Sequence, residues 1–126
     1  MKDNSTIASG SWKEIKLWNV ISGENFVSYV DNKNWVRNLV FLKCCNDEDY
    51  LVSAGNNEIK LWNLSLGECV SFIDTEDNLI NCIREVKVGN GDLIVASGRR
   101  SGRVALSRSR EGEDGLYASL RHFRQM

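Results

Sequence analysis

The sequence predicts an all-β chain built from an internal repeat of strands and turns. Three observations carry this. The hexapeptide Glu14-Ile15-Lys16-Leu17-Trp18-Asn19 recurs letter for letter as Glu58-Ile59-Lys60-Leu61-Trp62-Asn63, at an offset of 44 residues. Apolar and polar side chains alternate through the strand-length segments, as a half-buried strand requires. Ten Gly and no Pro suit a chain of strands and turns.

The likeness extends beyond the hexapeptide. Ile7-Ala8-Ser9-Gly10 leads into the first copy and Leu51-Val52-Ser53-Ala54-Gly55 into the second. Gly23-Glu24 and Gly67-Glu68 follow them at equal distances. A third, degraded copy runs through Ile94-Val95-Ala96-Ser97-Gly98 and Val104-Ala105-Leu106-Ser107, with Ser107 where the earlier copies carry Trp. A period of about 40–45 residues is the one expected of propeller blades.

These lead-ins and Ile-Lys-Leu-Trp-Asn copies resemble the WD-repeat β-propeller family. The resemblance covers residues 6–107 and implies antiparallel four-stranded blades, in a ring that this chain alone does not close. Two departures stand out. The family's Asp after Trp is Asn19 and Asn63 here. Its Gly-His pair is missing, with Asp31-Asn32 and Thr75-Glu76 near those places. The usual buried network of that His and Asp therefore cannot form.

In chain order, residues 6–9 read as a strand, 10–13 as a turn and 14–18 as a strand with Ile15 and Leu17 on one face. Residues 19–23 turn again and 25–30 form a third strand. Residues 31–34 read as a polar connection. Residues 36–42 are the most apolar strand and an inner one, and 43–49 a polar loop. Strands over 50–54, 58–62 and 69–73 complete that unit, with Asn56-Asn57 as a tight turn tolerant of positive φ. After the connection 75–78, residues 80–88 form another inner strand, whose Arg84 and Glu85 must reach solvent or pair. Gly89-Asn90-Gly91-Asp92 is a hairpin signal. Strands 93–97 and 103–107 follow, joined by 99–102. Residues 108–115 are a polar segment, and 116–123 a last outer strand or short helix. The units are thus an incomplete blade over 1–30, a complete blade over 31–74 and a degenerate blade over 75–126.

At 126 residues the chain is one domain or part of one. A propeller closes with four to eight blades, so both ends of this stack expose apolar faces. Two expectations follow: the remaining blades lie on a longer chain, or copies of the chain assemble. The polar opening after Met1 argues against a secretory signal, and no apolar run approaches membrane-spanning length. The four Cys (Cys44, Cys45, Cys69, Cys82) make no Cys-x-x-Cys pair, and His122 is the one His. They read as reduced thiols of an intracellular protein, cytoplasmic or nuclear. The net charge of −1 is unevenly spread: all seven basic residues of 99–126 are Arg, against three acids.

No catalytic residue, cofactor site or metal site is expected. Asp47-Glu48-Asp49 reads as a solvated loop, and His122 lies near a terminus without a nucleophile to serve. The resemblance implies a non-catalytic scaffold that binds a partner protein or peptide through blade-connecting loops. Mapped here, those loops hold Trp12, Trp35, Arg37, Asn56, Asn57, Arg99 and Arg100, and Trp and Arg are enriched at binding hot spots. Trp12 reads either as a contact residue or as packing on its own hairpin. Trp35 reads as packing between blades, with partner contact as the second reading. Trp18, Asn19, Trp62 and Asn63 are structural positions of the repeat. Contact of the Arg-rich C-terminal segment with nucleic acid or phosphate is the rival reading, weakened by scattered Lys and the lack of an aromatic stripe.

Overall fold

The structure, a computed structural model, describes residues 6–42, 49–55, 58–74, 80–86, 92–110, 117 and 119–125, with backbone alone for 31–34 and 125. The expected turn Asn56-Asn57, the connection 75–78, the hairpin glycines Gly89 and Gly91, and Asp47 and Glu48 lie outside these residues.

Among the described residues ten strands form three antiparallel sheets. The first holds β1 (Thr6–Asn19) and β2 (Asn25–Trp35). The second is a meander of β3 (Asn38–Leu42), β4 (Tyr50–Ala54), β5 (Glu58–Asn63) and β6 (Glu68–Asp74). The third runs β7 (Ile80–Val86), β8 (Leu93–Arg99), β9 (Val104–Ser109) and β10 (Arg121–Gln125). β3 packs beside both β1 and β7, so the second sheet lies between the other two. Among the described residues no helix is long and apolar enough to cross a membrane.

β1 is not straight. Trp18 Nε1 donates to Ser9 Oγ at 2.8 Å, whereas nine residues of straight strand span about 30 Å. The chain therefore doubles back within β1 at Trp12-Lys13. Lys13 has the left-handed φ of 61° that a tight reversal requires. The expected turn over 10–13 is present, but its tip stays paired: Trp12 is in register with Trp35, and Val36 N–H donates to Ser11 O at 2.9 Å. The same pairing corrects the expected connection over 31–34. β2 runs on through these residues to Trp35, with the pairing to β1 held at Val30 on one side and Trp35 on the other and a register shift between.

The approach is close. A Cβ on Gly10 would stand 2.7 Å from Val36 O and 2.6 Å from Val36 Cγ1. Only a residue without Cβ lets the two backbones meet there.

The core sits between the sheets. All five residues of β4 are buried, because successive side chains enter two different interfaces. Leu51 and Trp62 face the first sheet, where Ile15 and Val36 are buried with them and Tyr29, Ala8 and Phe41 pack alongside. Tyr50, Val52, Ile59 and Leu61 face the third sheet and meet Ile83, Leu93 and Val95. Tyr29 lies 5.5 Å from Trp62, ring centroid to centroid, and burial raises its phenol above the ordinary tyrosine range.

The 44-residue offset makes the sheets directly comparable. Leu51 and Trp62 are 0% and 6% exposed, with the first sheet covering them. Their equivalents are Ile7, 54% exposed, and Trp18, partly exposed. The face of the first sheet that carries Ile7, Trp18, Phe26 and Val30 has the chemistry of a covered face. The third sheet solves its lost Trp differently. Ser107 is buried at that position, and Tyr117 and Leu120 enter the same core from the chain before β10. Tyr117 stacks edge-on against Tyr50 at 5.4 Å, its N–H donates to Tyr50 Oη at 3.0 Å, and Leu120 N–H donates to Ser71 Oγ at 2.9 Å.

Two stability outcomes follow. Trp62→Phe strips the buried Ser53 hydroxyl of its 2.9 Å partner and costs about 1–3 kcal/mol. Trp18→Phe removes the same bond where water can replace it, and stays within about 0.5 kcal/mol; equal losses in urea denaturation would contradict this. Gly10→Ala forces the β1 tip off Val36 and costs about 1–3 kcal/mol, so an unchanged denaturation midpoint would show that the backbones do not meet as described.

Candidate functional site

The meander topology places the reversal of β1, the end of β2 and the β8–β9 turn at corresponding ends of their sheets. Most of the candidate residues lie there. Trp12 sits at the β1 tip and is 50% exposed, while Trp35 ends β2 and is 47% exposed. Their ring centroids are 5.4 Å apart with planes tilted by 54°. Lys13 Nζ stands 4.8 Å from the Trp12 ring centroid, a cation–π arrangement that fixes a positive charge over that ring. Trp12 packs against Trp35 of β2, and half of it stays exposed. Trp35 does not pack between sheets; Val36 beside it takes that place, buried with Ile15 and Trp62.

Arg37 follows Val36 and is exposed, its N–H donating to Ala54 O at 2.9 Å. Arg99 and Arg100 belong to the third sheet, with the second sheet between them and the Trp pair. Their turn is closed by Arg99 N–H to Arg103 O and Gly102 N–H to Arg99 O, both 2.9 Å, with Gly102 at φ 88°. Arg100 is exposed, and Arg99 Nε is buried without a hydrogen-bond partner among the described residues. Asn56 and Asn57 lie outside the described residues.

The repeat positions have local tasks. Asn19 Oδ1 accepts from the N–H of Ile21 (2.9 Å) and of Ser22 (3.1 Å), and Asn63 Oδ1 from Leu66 N–H (3.1 Å). Each amide therefore holds the turn that ends in Gly23 or Gly67, both at positive φ. A carboxylate could do this too, but Asn63 Nδ2 also points at Tyr50 Oη, 3.5 Å away. Only the amide brings a donor to that buried phenol.

Lys13 was absent from the candidates; its adjacency to Trp12 at a turn was the available signal. The Tyr50–Tyr117 staple had none, because 67 residues separate its members. His122 is exposed on β10. Among the described residues no group of three His, Cys, Asp or Glu is placed to hold a metal ion.

No family model and no curated protein matches the sequence. Solved structures do. A structure of U3-55K matches with a TM-score of 0.65 at 19% identity, over 91% of this chain and 33% of that one. The RRP9 WD40 repeats match at 0.66 and 19%, over 96% and 34%. A chain of the mitotic checkpoint complex matches at 0.70 and 14%, over 98% and 36%. The chain thus spans about a third of the length of these structures, and at such identities the likeness is one of fold. With three successive antiparallel sheets, the Trp–Ser hydrogen bond repeated in the first two, and these neighbours, the chain has the fold of a partial WD-repeat β-propeller.

Proposed function

We propose that the chain is a non-catalytic interaction platform that binds a partner protein or peptide through the turn end carrying Trp12 and Trp35. The observation that carries this reading is the half-exposed Trp pair with Lys13 over it. Two large aromatic side chains held in fixed geometry offer contact area at little entropic cost. Exposed Arg37 extends the surface with a donor fork. The fold supports the reading by analogy: one neighbour was solved as part of a multi-protein complex. Cys82 is an exposed free thiol, which fits work inside the cell, in the cytoplasm or the nucleus.

On this reading residues 1–30 are an incomplete blade, 31–74 a complete blade and 75–126 a degenerate one. The open face with Ile7, Trp18, Phe26 and Val30 then takes a further blade, from a longer polypeptide or from a second copy.

The test is affinity purification from cells with quantitative mass spectrometry. It compares the unaltered chain, Trp12→Ser/Trp35→Ser, and Leu66→Ser, which removes an exposed apolar side chain elsewhere. A partner set that survives Leu66→Ser and falls by about 30-fold or more in the Trp double variant supports the proposal. The same set on all three contradicts it.

A further inference from the structure

The opposite end of the third sheet carries a separate cluster. Arg108, Arg110, Ser119, Arg121 and Phe123 line a cleft of about 300 Å³. β9 turns Arg108 to the face opposite the buried Ser107 and Ser109, and Arg110, the residue after the strand, lines the same cleft. β10 adds Arg121 directly opposite Arg108 in register. The guanidinium carbon of Arg108 stands 4.7 Å from the Phe123 ring centroid. Among the described residues no acidic side chain lines the cleft.

Like charges placed directly opposite across a strand pair destabilise it, and the third arginine adds to the repulsion. Packing on Phe123 accounts for Arg108 alone, not for Arg110 or Arg121 beside it. The second-repeat counterpart of Arg108, counted from the Trp62/Ser107 position, is the buried Asn63. Where that repeat presents an uncharged side chain to its neighbouring sheet, this one presents a guanidinium.

We infer that Arg108, Arg110 and Arg121 form an oxyanion site for the phosphoryl group of a phosphorylated partner peptide. Each guanidinium offers a planar fork matched to phosphate oxygens. Three positive charges suit a near-divalent phosphate better than a single carboxylate, and the Ser119 hydroxyl supplies a neutral donor. The cleft volume is at the low end for small-ligand sites and accommodates one oxyanion head group. The occupant is a peptide rather than a nucleic acid because a face of Phe123 is already taken by Arg108, which leaves no open aromatic platform for a base. This site is independent of the Trp pair, so either proposal can fail alone.

The test uses the full 126-residue chain and the pentapeptide Gly-Ala-phosphoserine-Ala-Gly, with Ser and Glu versions and a short single-stranded oligonucleotide as comparators. Titration calorimetry is expected to rank the phosphopeptide first, about tenfold or more above the Ser peptide and above the Glu peptide. R108Q and R121Q each weaken it about tenfold. In chloride buffer R121Q melts above the unaltered chain, because the opposed charge is gone. Inorganic phosphate at matched ionic strength raises the melting temperature of the unaltered chain but not of R108Q/R121Q. Equal binding of the Ser or Glu peptide, tighter binding of the oligonucleotide, or unchanged phosphopeptide binding by R108Q/R121Q would overturn the site. So would a lower melting temperature for R121Q, which would show that the arginine already has a partner within the chain. If the double variant loses its β-type circular dichroism, R110Q at the exposed strand end gives the same comparison.

Discussion

Everything in this fold depends on a sheet that must be covered on both faces. The second sheet meets that condition within the chain: β4 buries alternate residues into opposite interfaces, and none of its five side chains reaches solvent. The first and third sheets are each backed on one face by the second, and each answers for its other face differently. On the first sheet the repeat pattern is kept and the face stays open, so Ile7 is exposed where Leu51 is not. Full burial of such a side chain is worth about 1.5–3 kcal/mol, and Ile7, Phe26 and Val30 together forgo several kcal/mol until something covers them. On the third sheet the outer corner has changed chemistry, with guanidinium groups where an inner blade carries neutral side chains.

The repeats made much of this legible in advance. An exact hexapeptide at a blade-length offset carries the register of β5, and the preceding Ser-Ala-Gly fixes β4, because local alternation and nearby turns determine both. The WD-repeat fold followed from the same residues. Other features were hidden because they arise from contacts between distant residues. Nothing in Asp31-Asn32-Lys33-Asn34 signals a strand; β2 continues through the segment to Trp35, which pairs with Trp12 at the β1 tip. Tyr117 and Leu120 join the core between the second and third sheets from 67 and 49 residues away from the groups they bond. Arg108 and Arg121 look like scattered members of a basic tail until the β9–β10 register sets them face to face.

The two ends of the sheets therefore differ chemically. One carries paired indoles under an ammonium, a surface for an amphipathic protein contact. The other carries a tight arginine cluster, a surface for a single strong anion. Between them lie neutral hydrogen-bonded pairs. Trp62–Ser53 and Asn63–Tyr50 tie β5 to β4 within the second sheet, and Tyr50–Tyr117 joins that sheet to the chain before β10. That leaves the turn ends free to vary in sequence while the sheets stay in place.

The claim that stability is concentrated in the doubly covered sheet is tested most directly by native-state amide hydrogen exchange. The paired amides of β4 and β5 should exchange only through global unfolding, with the largest protection in the molecule. The paired amides of β1 and β2 should open at a free energy at least about 1.4 kcal/mol lower, a tenfold difference in protection. Equal protection across the three sheets would contradict the account, because it would mean that the open face of the first sheet costs nothing.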